Sequence, residues 1–426
     1  MKTALKMFVA LVAAGSASSA TAIAGGIDPA KVSGKITFYT HFGSLERNGT
    51  WDRIEAEFKA KYPAVEDVEI ISIGGNYEEA MAVRMSSGDY GDIANVPKGM
   101  TPTDYPSYFA PLNDLGLTGE TYYFADSYTV DGNLYGLTYG VNAEAIVYNK
   151  EAFAKAGATP PKTLSEFWAV CEKLKAAGIV PFVTNMGSGW PMQQFDKLPV
   201  AISGDSHFHD GMLNDPTPYA ADKPYGRSLG FVKTLIDKGW TEEDRTADTF
   251  QPSKGWMASG KAAMWYFGPW SINQIVAEGA AIEGVKDFTA DKIGLFPLPY
   301  DDSGKSNVVI GPDNALGVSA NSDNPDTAKA FVAFLLTESN MAETAGFIPG
   351  FKAKQPAMPQ LAELSSFGPT YVEMNNPDPK FKEAAAEARI DFLTGTYLRD
   401  VLQAPDYAAA VTELNERWAR AAERAK

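Results

Sequence analysis

The stretch Gly260-Lys-Ala-Ala-Met-Trp-Tyr-Phe-Gly-Pro-Trp-Ser-Ile-Asn-Gln-Ile275 decides the fold of this chain. Its apolar run, Ala262–Phe267, predicts a buried strand. A Gly-Pro pair ends that strand, and a helix is predicted to begin near Ser271. This arrangement leaves Trp270 at the carboxyl end of a strand, where ligands usually bind in open α/β sheets. The ring of Trp270 is therefore either a ligand platform or partly buried packing.

Composition and charge limit the class of protein. The chain has 426 residues, which is long for one hydrophobic core, so two lobes are expected. Its 45% hydrophobic and 21% charged content is that of a folded globular protein. The 37 Lys and Arg face 53 Asp and Glu, a formal net charge of −16, and no basic cluster interrupts this balance. Nucleic acid and anionic membrane surfaces are therefore not expected as partners. The charge also counts against a polyanionic ligand, unless a local pocket differs in sign.

The N-terminal residues have the pattern of an export signal. Lysines precede the short apolar run Met7–Ala14, and small residues at Ala20, Ala22 and Ala24 fit cleavage. We therefore expect residues 1–24 to be a signal peptide, removed near Ala22 or Ala24. No later run reaches the ~18 apolar residues that a membrane span requires.

The single cysteine, Cys171, lies inside a helical pattern. It has no partner for an intramolecular disulfide, and no cysteine stands at the predicted cleavage site to carry a lipid anchor. Burial as a small hydrophobe is the expected role of Cys171. An exported chain with neither a disulfide nor an anchor suits the periplasm of a Gram-negative bacterium.

Strands and helices alternate after the predicted signal peptide. The patterns predict strands over Lys35–Thr40, Val68–Ile73 and Asp92–Val96, and helices over Thr50–Tyr62 and Tyr77–Ser86. Such alternation is typical of a parallel sheet with crossover helices. The ligand-facing loops of this sheet follow the strand ends, at Thr40–Glu46, Gly74–Tyr77 and Asn95–Lys98.

A second α/β region follows. The alternating segment Leu134–Asn149 predicts one long strand. A capping box, Thr163-Leu-Ser-Glu166, predicts a helix that ends before Gly178. A strand over Ile179–Thr184 then leads into Gly187-Ser-Gly-Trp190, which is predicted to be a flexible turn that carries an aromatic ring. Further helices are predicted over Gly226–Lys238 and Pro252–Ser259.

The third region, Ile293–Phe351, is predicted to return to the first lobe. It contains an apolar strand over Asn307–Ser319, which Gly311–Asn314 interrupts, and an amphipathic helix over Pro325–Thr337. The remainder, Asp378–Lys426, is predicted to be mostly helical.

These segments, in this order, resemble the solute-binding proteins of ATP-binding-cassette sugar importers (family 1, which includes maltose-binding protein). The opening stretch resembles the signature segment of that family. Pro161-Lys-Thr-Leu-Ser-Glu-Phe167 resembles its Pro-x-Thr-Trp-x-Glu-Phe element, with Leu164 in place of Trp. The family's crossover strand and the helix after it are similar to Leu134–Asn142 and Ile146–Phe153. Its late strand and helix are similar to Ala315–Ser319 and Ala328–Leu336, and its hinge turn is similar to Gly346–Pro349.

The resemblance implies an α/β protein of two lobes, which are joined by hinge crossings and close on a ligand in the cleft between them. The implied crossings are 139–142, 310–314 and 346–350. The N-terminal lobe is then 25–139 plus 312–346, and the C-terminal lobe is 140–311 plus 347–426. The resemblance also implies a monomer without metal or cofactor that delivers its ligand to a membrane permease.

Aromatic candidates follow from the chemistry of a sugar, whose C–H faces stack on aromatic rings. Trp270 and Trp190 both lie in predicted loops, so each is a candidate platform, with packing as the alternative. Phe347 and Phe351 flank the third crossing, as platforms or as hinge packing. The other tryptophans lie in helix or strand patterns and are assigned to the core or the surface.

Polar candidates are needed because sugar hydroxyls pair with planar polar groups. His41 and Glu46 follow the first strand, and Tyr77 begins the next predicted helix. His41 is alternatively a solvated loop residue, and Tyr77 an anchor for its helix. Asp313 and Asn314 stand at the second crossing, where they contact ligand or cap a turn.

The sequence gives less support to an enzymatic function. The 53 acidic residues allow a glycoside hydrolase pair, but no segment isolates two carboxylates and no eightfold repeat occurs. There is no Gly-x-Ser-x-Gly elbow and no phosphate-binding loop, and His207-Phe-His209 favours a polar loop over a metal site. We therefore expect a periplasmic binding protein for a neutral carbohydrate, an oligosaccharide. A polyol or glycerol-phosphodiester ligand and a secreted glycoside hydrolase are the alternatives.

Overall fold

The structure is a computed structural model that describes residues 26–73, 77–375, 377–392 and 394–426. The predicted signal peptide, 1–24, and residues 74–76 of the predicted loop Gly74–Tyr77 lie outside the described residues. No helix of the described ranges is long and apolar enough to cross a membrane.

Strands and helices alternate through most of the described chain. The strands are β1 (Gly34–Thr40), β2 (Val65–Ser72), β3 (Ile93–Asn95), β4 (Thr129–Val130), β5 (Asn133–Leu134), β6 (Leu137–Thr138), β7 (Gly140–Ala143), β8 (Ala145–Asn149), β9 (Val180–Val183), β10 (Ala262–Phe267), β11 (Ile293–Phe296), β12 (Asn307–Pro312), β13 (Ala315–Val318), β14 (Ile348–Pro349) and β15 (Thr370–Glu373). The α-helices are α1 (Gly43–Arg47), α2 (Thr50–Lys61), α3 (Tyr77–Ser87), α4 (Tyr105–Tyr108), α5 (Lys150–Lys155), α6 (Leu164–Ala176), α7 (Gln194–Ser203), α8 (Phe208–Met212), α9 (Pro224–Asp237), α10 (Phe250–Ser259), α11 (Ser271–Ala280), α12 (Pro325–Thr337), α13 (Met341–Ala345), α14 (Pro359–Ser366), α15 (Pro379–Glu387), α16 (Thr396–Leu402) and α17 (Tyr407–Ala425). Short 3-10 helices include Met186–Ser188 and Trp190–Gln193.

The first sheet has the strand order β2-β1-β3-β13-β6. Strands β2 and β3 pair in parallel with β1, as the sequence predicts. Strand β13 pairs antiparallel with both β3 and β6, so the complete sheet is mixed. The reason is that β13 enters from a distant part of the chain, without a crossover helix from β3. Helices α2 and α12 cover this sheet, with the rings of Phe58 and Phe331 5.1 Å apart.

The second sheet has the order β11-β8-β10-β9 and contains the strand predicted from the opening stretch. Strand β10 lies between β8 and β9, and all six of its residues are buried. This confirms the predicted strand at Ala262–Phe267. A continuous apolar run fits here because both faces of the strand are covered.

The third sheet, β14-β7-β12-β15, explains why one predicted strand is wrong. The segment Leu134–Asn149 is extended, but it forms the end of β5 and the whole of β6, β7 and β8, which belong to four different sheets. The turn between β6 and β7 is fixed by the Thr138 hydroxyl, which donates to the carbonyl of Gly140 at 2.8 Å. An alternating pattern of polar and apolar residues predicts an extended backbone, but it does not predict which sheet each residue joins.

The region Ile293–Phe351 returns to the first sheet later than predicted. Strand β11 pairs antiparallel with β8 in the second sheet, and β12 joins the third. Only β13 reaches the first sheet. The prediction is wrong for β11 because the sequence of an apolar strand does not indicate which sheet the strand joins.

Local signals are more reliable than sheet membership. The predicted capping box is present, since the Thr163 hydroxyl accepts from the amide of Glu166 at 3.2 Å and the Glu166 carboxylate accepts from the amide of Thr163 at 3.2 Å. Cys171 is fully buried, as expected, and burial raises the pKa of its thiol, which leaves it unreactive. Gly187 is closely packed, since a Cβ there would lie 2.2 Å from the carbonyl oxygen of Ala247.

Candidate functional site

The three predicted crossing segments meet in the third sheet. Strand β7 pairs on one side with β12, at Asn142 and Gly311, and on the other with β14, at Val141 and Ile348. The backbones approach closely, since a Cβ at Gly140 would lie 2.6 Å from Cβ of Phe347. The first and second sheets flank this junction along the chain, because β6 precedes β7 and β8 follows it.

His41 lies at one side of this junction, after β1. The Asn95 side-chain amide donates to Nδ1 of His41 at 2.6 Å, and the Asn314 amide lies 3.1 Å from Nε2. Asn95 in turn accepts from the hydroxyl of Tyr139 at 2.6 Å. Burial, with a contribution from Lys98, lowers the pKa of His41 to about 3. His41 is therefore a neutral, half-buried side chain that contacts the amides of two other segments, and a ligand role for it stays a prediction.

Tyr77 anchors helix α3 to the same sheet. Its side chain is buried, its hydroxyl donates to the carbonyl of Tyr39 at 3.2 Å, and it accepts from the amide of Asn95 at 2.7 Å. Burial raises the pKa of the phenol. The geometry favours the anchoring role, and a ligand role for Tyr77 stays a prediction.

Unpaired acceptors gather beside the junction. Asp313 accepts from the amide of Asn142 at 3.4 Å through Oδ1, whereas its Oδ2 is buried and no described residue donates to it. Oδ1 of Asn142 and Oε2 of Glu144 are likewise buried without a donor among the described residues. Burial raises the pKa of Asp313, and the cations Lys98 and Lys197 oppose that rise. Each unpaired buried acceptor costs about 1–3 kcal/mol, so this group is suited to ligand donors.

Sequence reasoning missed Asn142, Glu144 and Lys197 as site residues. The carboxylate of Glu144 accepts from the ammonium of Lys197, which also donates to Gln194 at 3.1 Å. Asn142 and Glu144 are two apart in an extended segment, so they share a face. That spacing is a usable signal, because both polar residues stand among buried apolar neighbours.

Two tryptophans form the aromatic side of the site. The rings of Trp190 and Trp270 are stacked, with centroids 6.4 Å apart and planes 29° apart, and both are half-buried. Phe267 packs edge-on against Trp270 at 4.8 Å, and Phe250 against Trp190 at 4.8 Å. The pair borders the acceptor group: a Cβ at Gly268 would lie 2.5 Å from Nε1 of Trp270 and 3.0 Å from Oδ1 of Asn142.

The other candidates lie around this centre. Phe347 is buried and packs edge-on against Phe42 at 5.9 Å, so it contributes hinge packing. Phe351 is half-buried, and its backbone bridges to Tyr122. Glu46 is exposed in α1 and forms no ion pair within the described part of the chain. The structure thus connects His41 with Asn314, Asn142 with Asp313, and Trp190 with Trp270. Ligand roles for Glu46 and Phe351 stay predictions.

The two histidines of the His207-Phe-His209 sequence have separate partners. Nδ1 of His207 lies 3.3 Å from Asp210, and Nε2 of His209 lies 3.2 Å from the hydroxyl of Tyr225. Among the described residues, no group of three or more His, Cys, Asp or Glu side chains is arranged to hold a metal ion.

The sequence matches the family of bacterial extracellular solute-binding proteins over residues 43–342, which is more than half of the chain. The chain belongs to this family. It is a family of binding proteins and not of enzymes, so the glycoside hydrolase alternative is not favoured. Membership also accounts for the junction of three sheets, since solute-binding proteins of this kind have two lobes.

Individual proteins and solved structures are also similar to this chain. The chain is 24% identical over 318 residues to the multiple sugar-binding protein of Streptococcus mutans, covering 72% of each chain. It is 26% identical over 382 residues to the diacetylchitobiose binding protein DasA of Streptomyces coelicolor, covering 85% of each. A mannobiose complex of a transporter binding protein from Bifidobacterium animalis superposes with a TM-score of 0.80 at 22% identity, covering 94% of this chain and 97% of the other. At that identity the structural likeness concerns the fold.

Proposed function

We propose that this protein is the periplasmic substrate-binding component of an ATP-binding-cassette importer and captures a carbohydrate, an oligosaccharide, by closure of its two lobes. The relatives above are named for sugar, diacetylchitobiose and mannobiose binding, which supports a saccharide ligand. The protein performs no chemistry on the ligand. It delivers the ligand to a membrane permease as a monomer, after export and removal of residues 1–24.

One observation carries the proposal: the stacked pair Trp190 and Trp270 borders buried acceptors to which no described residue donates. Aromatic faces bind the C–H faces of a sugar ring, and unpaired oxygens accept its hydroxyl hydrogens. Few ligands other than sugars combine a flat apolar face with hydroxyl donors around its edge. Nε1 of Trp270 and Oδ1 of Asn142 lie over the same glycine, so one sugar ring can contact both.

The polar groups then have distinct proposed roles. Asp313 and Asn142 accept ligand hydroxyls through Oδ2 and Oδ1. His41 holds Asn314 in place, because its neutral ring contacts the amides of both Asn95 and Asn314. A ligand that reaches these groups and the tryptophans contacts elements on both sides of the third sheet, and so stabilises the closed arrangement.

The proposed lobes are 25–139 plus 312–346 and 140–311 plus 347–426. The strand order supports this division, since the first sheet draws its strands from 34–138 and 315–318 and the second from 145–296. The C-terminal helices support it too, because Phe381 and Trp418 pack in the core cluster that contains Phe182 of the second sheet. The hinge is then β7, β12 and β14.

The first test is the Trp270→Ala variant. Loss of the platform removes the stacking face, so we expect affinity for the bound saccharide to fall by at least about tenfold, with little change in melting temperature. Isothermal titration calorimetry and intrinsic fluorescence against a panel of neutral oligosaccharides measure this. Trp168 is the matched control: it is half-buried and stacks on Trp240 at 5.5 Å in another core cluster, so Trp168→Ala lowers stability and leaves affinity unchanged.

Three outcomes contradict the proposal. Normal saccharide binding by Trp270→Ala means that the ring is only packing. Binding of a glycerol phosphodiester or polyol, with no response to any saccharide, makes the carbohydrate assignment wrong. Release of product from a glycoside means that the protein is a glycoside hydrolase.

A further inference from the structure

Asn185 is a buried asparagine with a left-handed backbone, five residues before Trp190. Its φ is +52°, and it directly precedes the 3-10 helix Met186–Ser188. Its Oδ1 is buried, and no described residue donates to it. A left-handed non-glycine residue and an unpaired buried acceptor each lower stability, and such features cluster at functional sites. The residue therefore calls for an explanation beyond the turn that it forms.

The side chain of Asn185 reaches beyond its own turn. Its amide donates to the hydroxyl of Thr249 at 2.9 Å and to the hydroxyl of Ser253 at 2.8 Å, and all three residues are buried. The two partners are 64 and 68 residues away, at the start of α10. In an ordinary turn a left-handed asparagine bonds to its own chain neighbours. Here the amide instead links two distant segments.

The rest of the turn is fastened to the same helix. We call residues 184–190 the platform loop. The hydroxyl of Ser188 accepts from the backbone amides of Thr249 and Phe250, both at 3.0 Å. The first amides of a helix have no partner within the helix, so Ser188 satisfies two groups that need an acceptor. The platform loop and the start of α10 are thus joined by four hydrogen bonds, two from Asn185 and two to Ser188.

The start of α10 also supports the ring of Trp190. Phe250, whose backbone amide binds Ser188, packs its own ring edge-on against Trp190 at 4.8 Å. Trp190 is half-buried and stacks on Trp270, with the ring centroids 6.4 Å apart. The residues that hold the backbone of the platform loop therefore also hold the plane of its tryptophan.

We propose that Asn185 is a positioning residue for the Trp190 platform: by tying the platform loop to α10, it holds the indole ring ready before the saccharide arrives. This inference rests on the proposed carbohydrate function. A binding group that is already ordered loses less conformational freedom when the ligand binds, which raises affinity without a new contact. Supporting hydrogen bonds of this kind fix the orientation of the groups that contact a ligand.

The decisive variant is Asn185→Gly. Glycine takes the left-handed backbone without strain, so the turn is kept and only the side-chain bonds are lost. We expect affinity for the tightest-binding member of a panel of neutral oligosaccharides to fall roughly three- to tenfold, because binding must now order the loop. Isothermal titration calorimetry measures this.

Asn149→Gly is the matched control. Asn149 is also buried, and its amide donates to the carbonyl of Met257 in α10 at 2.7 Å, but it lies outside the platform loop. We expect Asn149→Gly to lower the melting temperature and to leave affinity unchanged.

A spectroscopic measurement separates positioning from a general structural role. In protein labelled with fluorotryptophan, the fluorine resonance of Trp190 is assigned by its loss in Trp190→Phe. We expect this resonance to be single and narrow in the wild type and in Asn149→Gly. In ligand-free Asn185→Gly it broadens or splits as the loop exchanges between conformations, and it narrows again at a saturating concentration of the same oligosaccharide.

Each outcome decides something different. Normal affinity or an unchanged Trp190 resonance in Asn185→Gly overturns the positioning role and leaves the carbohydrate function intact. An equal loss of affinity in Asn149→Gly also overturns it, because both asparagines then act only through stability. Failure of every saccharide to bind the wild type overturns the proposed function itself. Where Asn185→Gly fails to fold, Ser188→Ala removes the other half of the link at a half-buried position, and wild-type behaviour of that variant overturns the proposal.

Discussion

Two histidines, the half-buried His41 and the buried His209, couple the stability of the fold to pH. His41 contacts the amides of Asn95 and Asn314, and burial holds its pKa at about 3. The ring of His209 packs against that of Phe381 at 5.1 Å, and burial lowers its pKa to about 4. An unfolded chain protonates both near pH 6.5, where the folded chain keeps them neutral. Acid therefore favours the unfolded state through these two residues.

The pH dependence of stability follows with a definite sign. Between pH 6.5 and 4 the unfolded state binds a proton at His41 and the folded state does not, so stability falls as pH falls, by at most about 1.4 kcal/mol per pH unit. We expect His41→Gln, whose amide can contact Asn95 and Asn314, to melt with a smaller loss between pH 7 and pH 4 than the wild type. Differential scanning calorimetry across that range measures it. The His209→Gln variant removes the second contribution, and the double variant combines both. A wild-type slope in His41→Gln contradicts the assignment.

Helices and strands show which parts of the fold can be read from sequence. Local signals succeed: the Gly-Pro break after β10 and the capping box of α6 appear where predicted, because each depends on adjacent residues. Sheet membership fails for Leu134–Asn149 and for β11, because pairing is decided by distant segments. Strand order is therefore a property of the assembled chain.

The same limit applies to the candidate site. Trp270 could be predicted because a strand end and a glycine precede it directly. The pairings could not, since Asn142 and Asp313 are 171 residues apart and His41 and Asn314 are 273 residues apart. The buried acceptors without donors are visible only in three dimensions.

Substitution of two glycines distinguishes the cost of a strained backbone from the effect of displacing Trp270. Gly346 has φ of +88°, and a Cβ there would lie 2.6 Å from Cα of Trp270. Gly284 has φ of +84°, and nothing lies within 4 Å of the corresponding point. We expect Gly284→Ala to lose only about 1–2 kcal/mol of unfolding free energy through its left-handed backbone. Gly346→Ala loses more and also weakens ligand binding, because the backbone of Trp270 must move. Urea unfolding and calorimetric titration measure both, and unaltered affinity in Gly346→Ala contradicts the link between Gly346 and the platform.

At the scale of the whole molecule, the proposed hinge lies within a single four-stranded sheet. The three crossing strands β7, β12 and β14 lie side by side in one sheet, so a change of backbone angle there turns one lobe against the other. The side chain of Asn273 in α11 donates to the carbonyl of Thr344 in α13 at 2.7 Å, beside the same junction. Motion is therefore expected about this sheet, with both lobe cores unchanged.

Ligand closure gives the last prediction. A saccharide that bridges the lobes binds only the folded, closed form, so a concentration 100 times its dissociation constant adds about 2.7 kcal/mol of stability and raises the melting temperature. The radius of gyration from small-angle X-ray scattering falls at the same concentration, because the cleft shuts. For a tenfold loss of affinity, Trp270→Ala at that concentration gains only about 1.4 kcal/mol, while Trp168→Ala shows the full gain from a lower starting stability. A melting shift without a change in radius means that the ligand binds without moving the lobes, and the hinge at β7, β12 and β14 is then wrong even though the binding site stands.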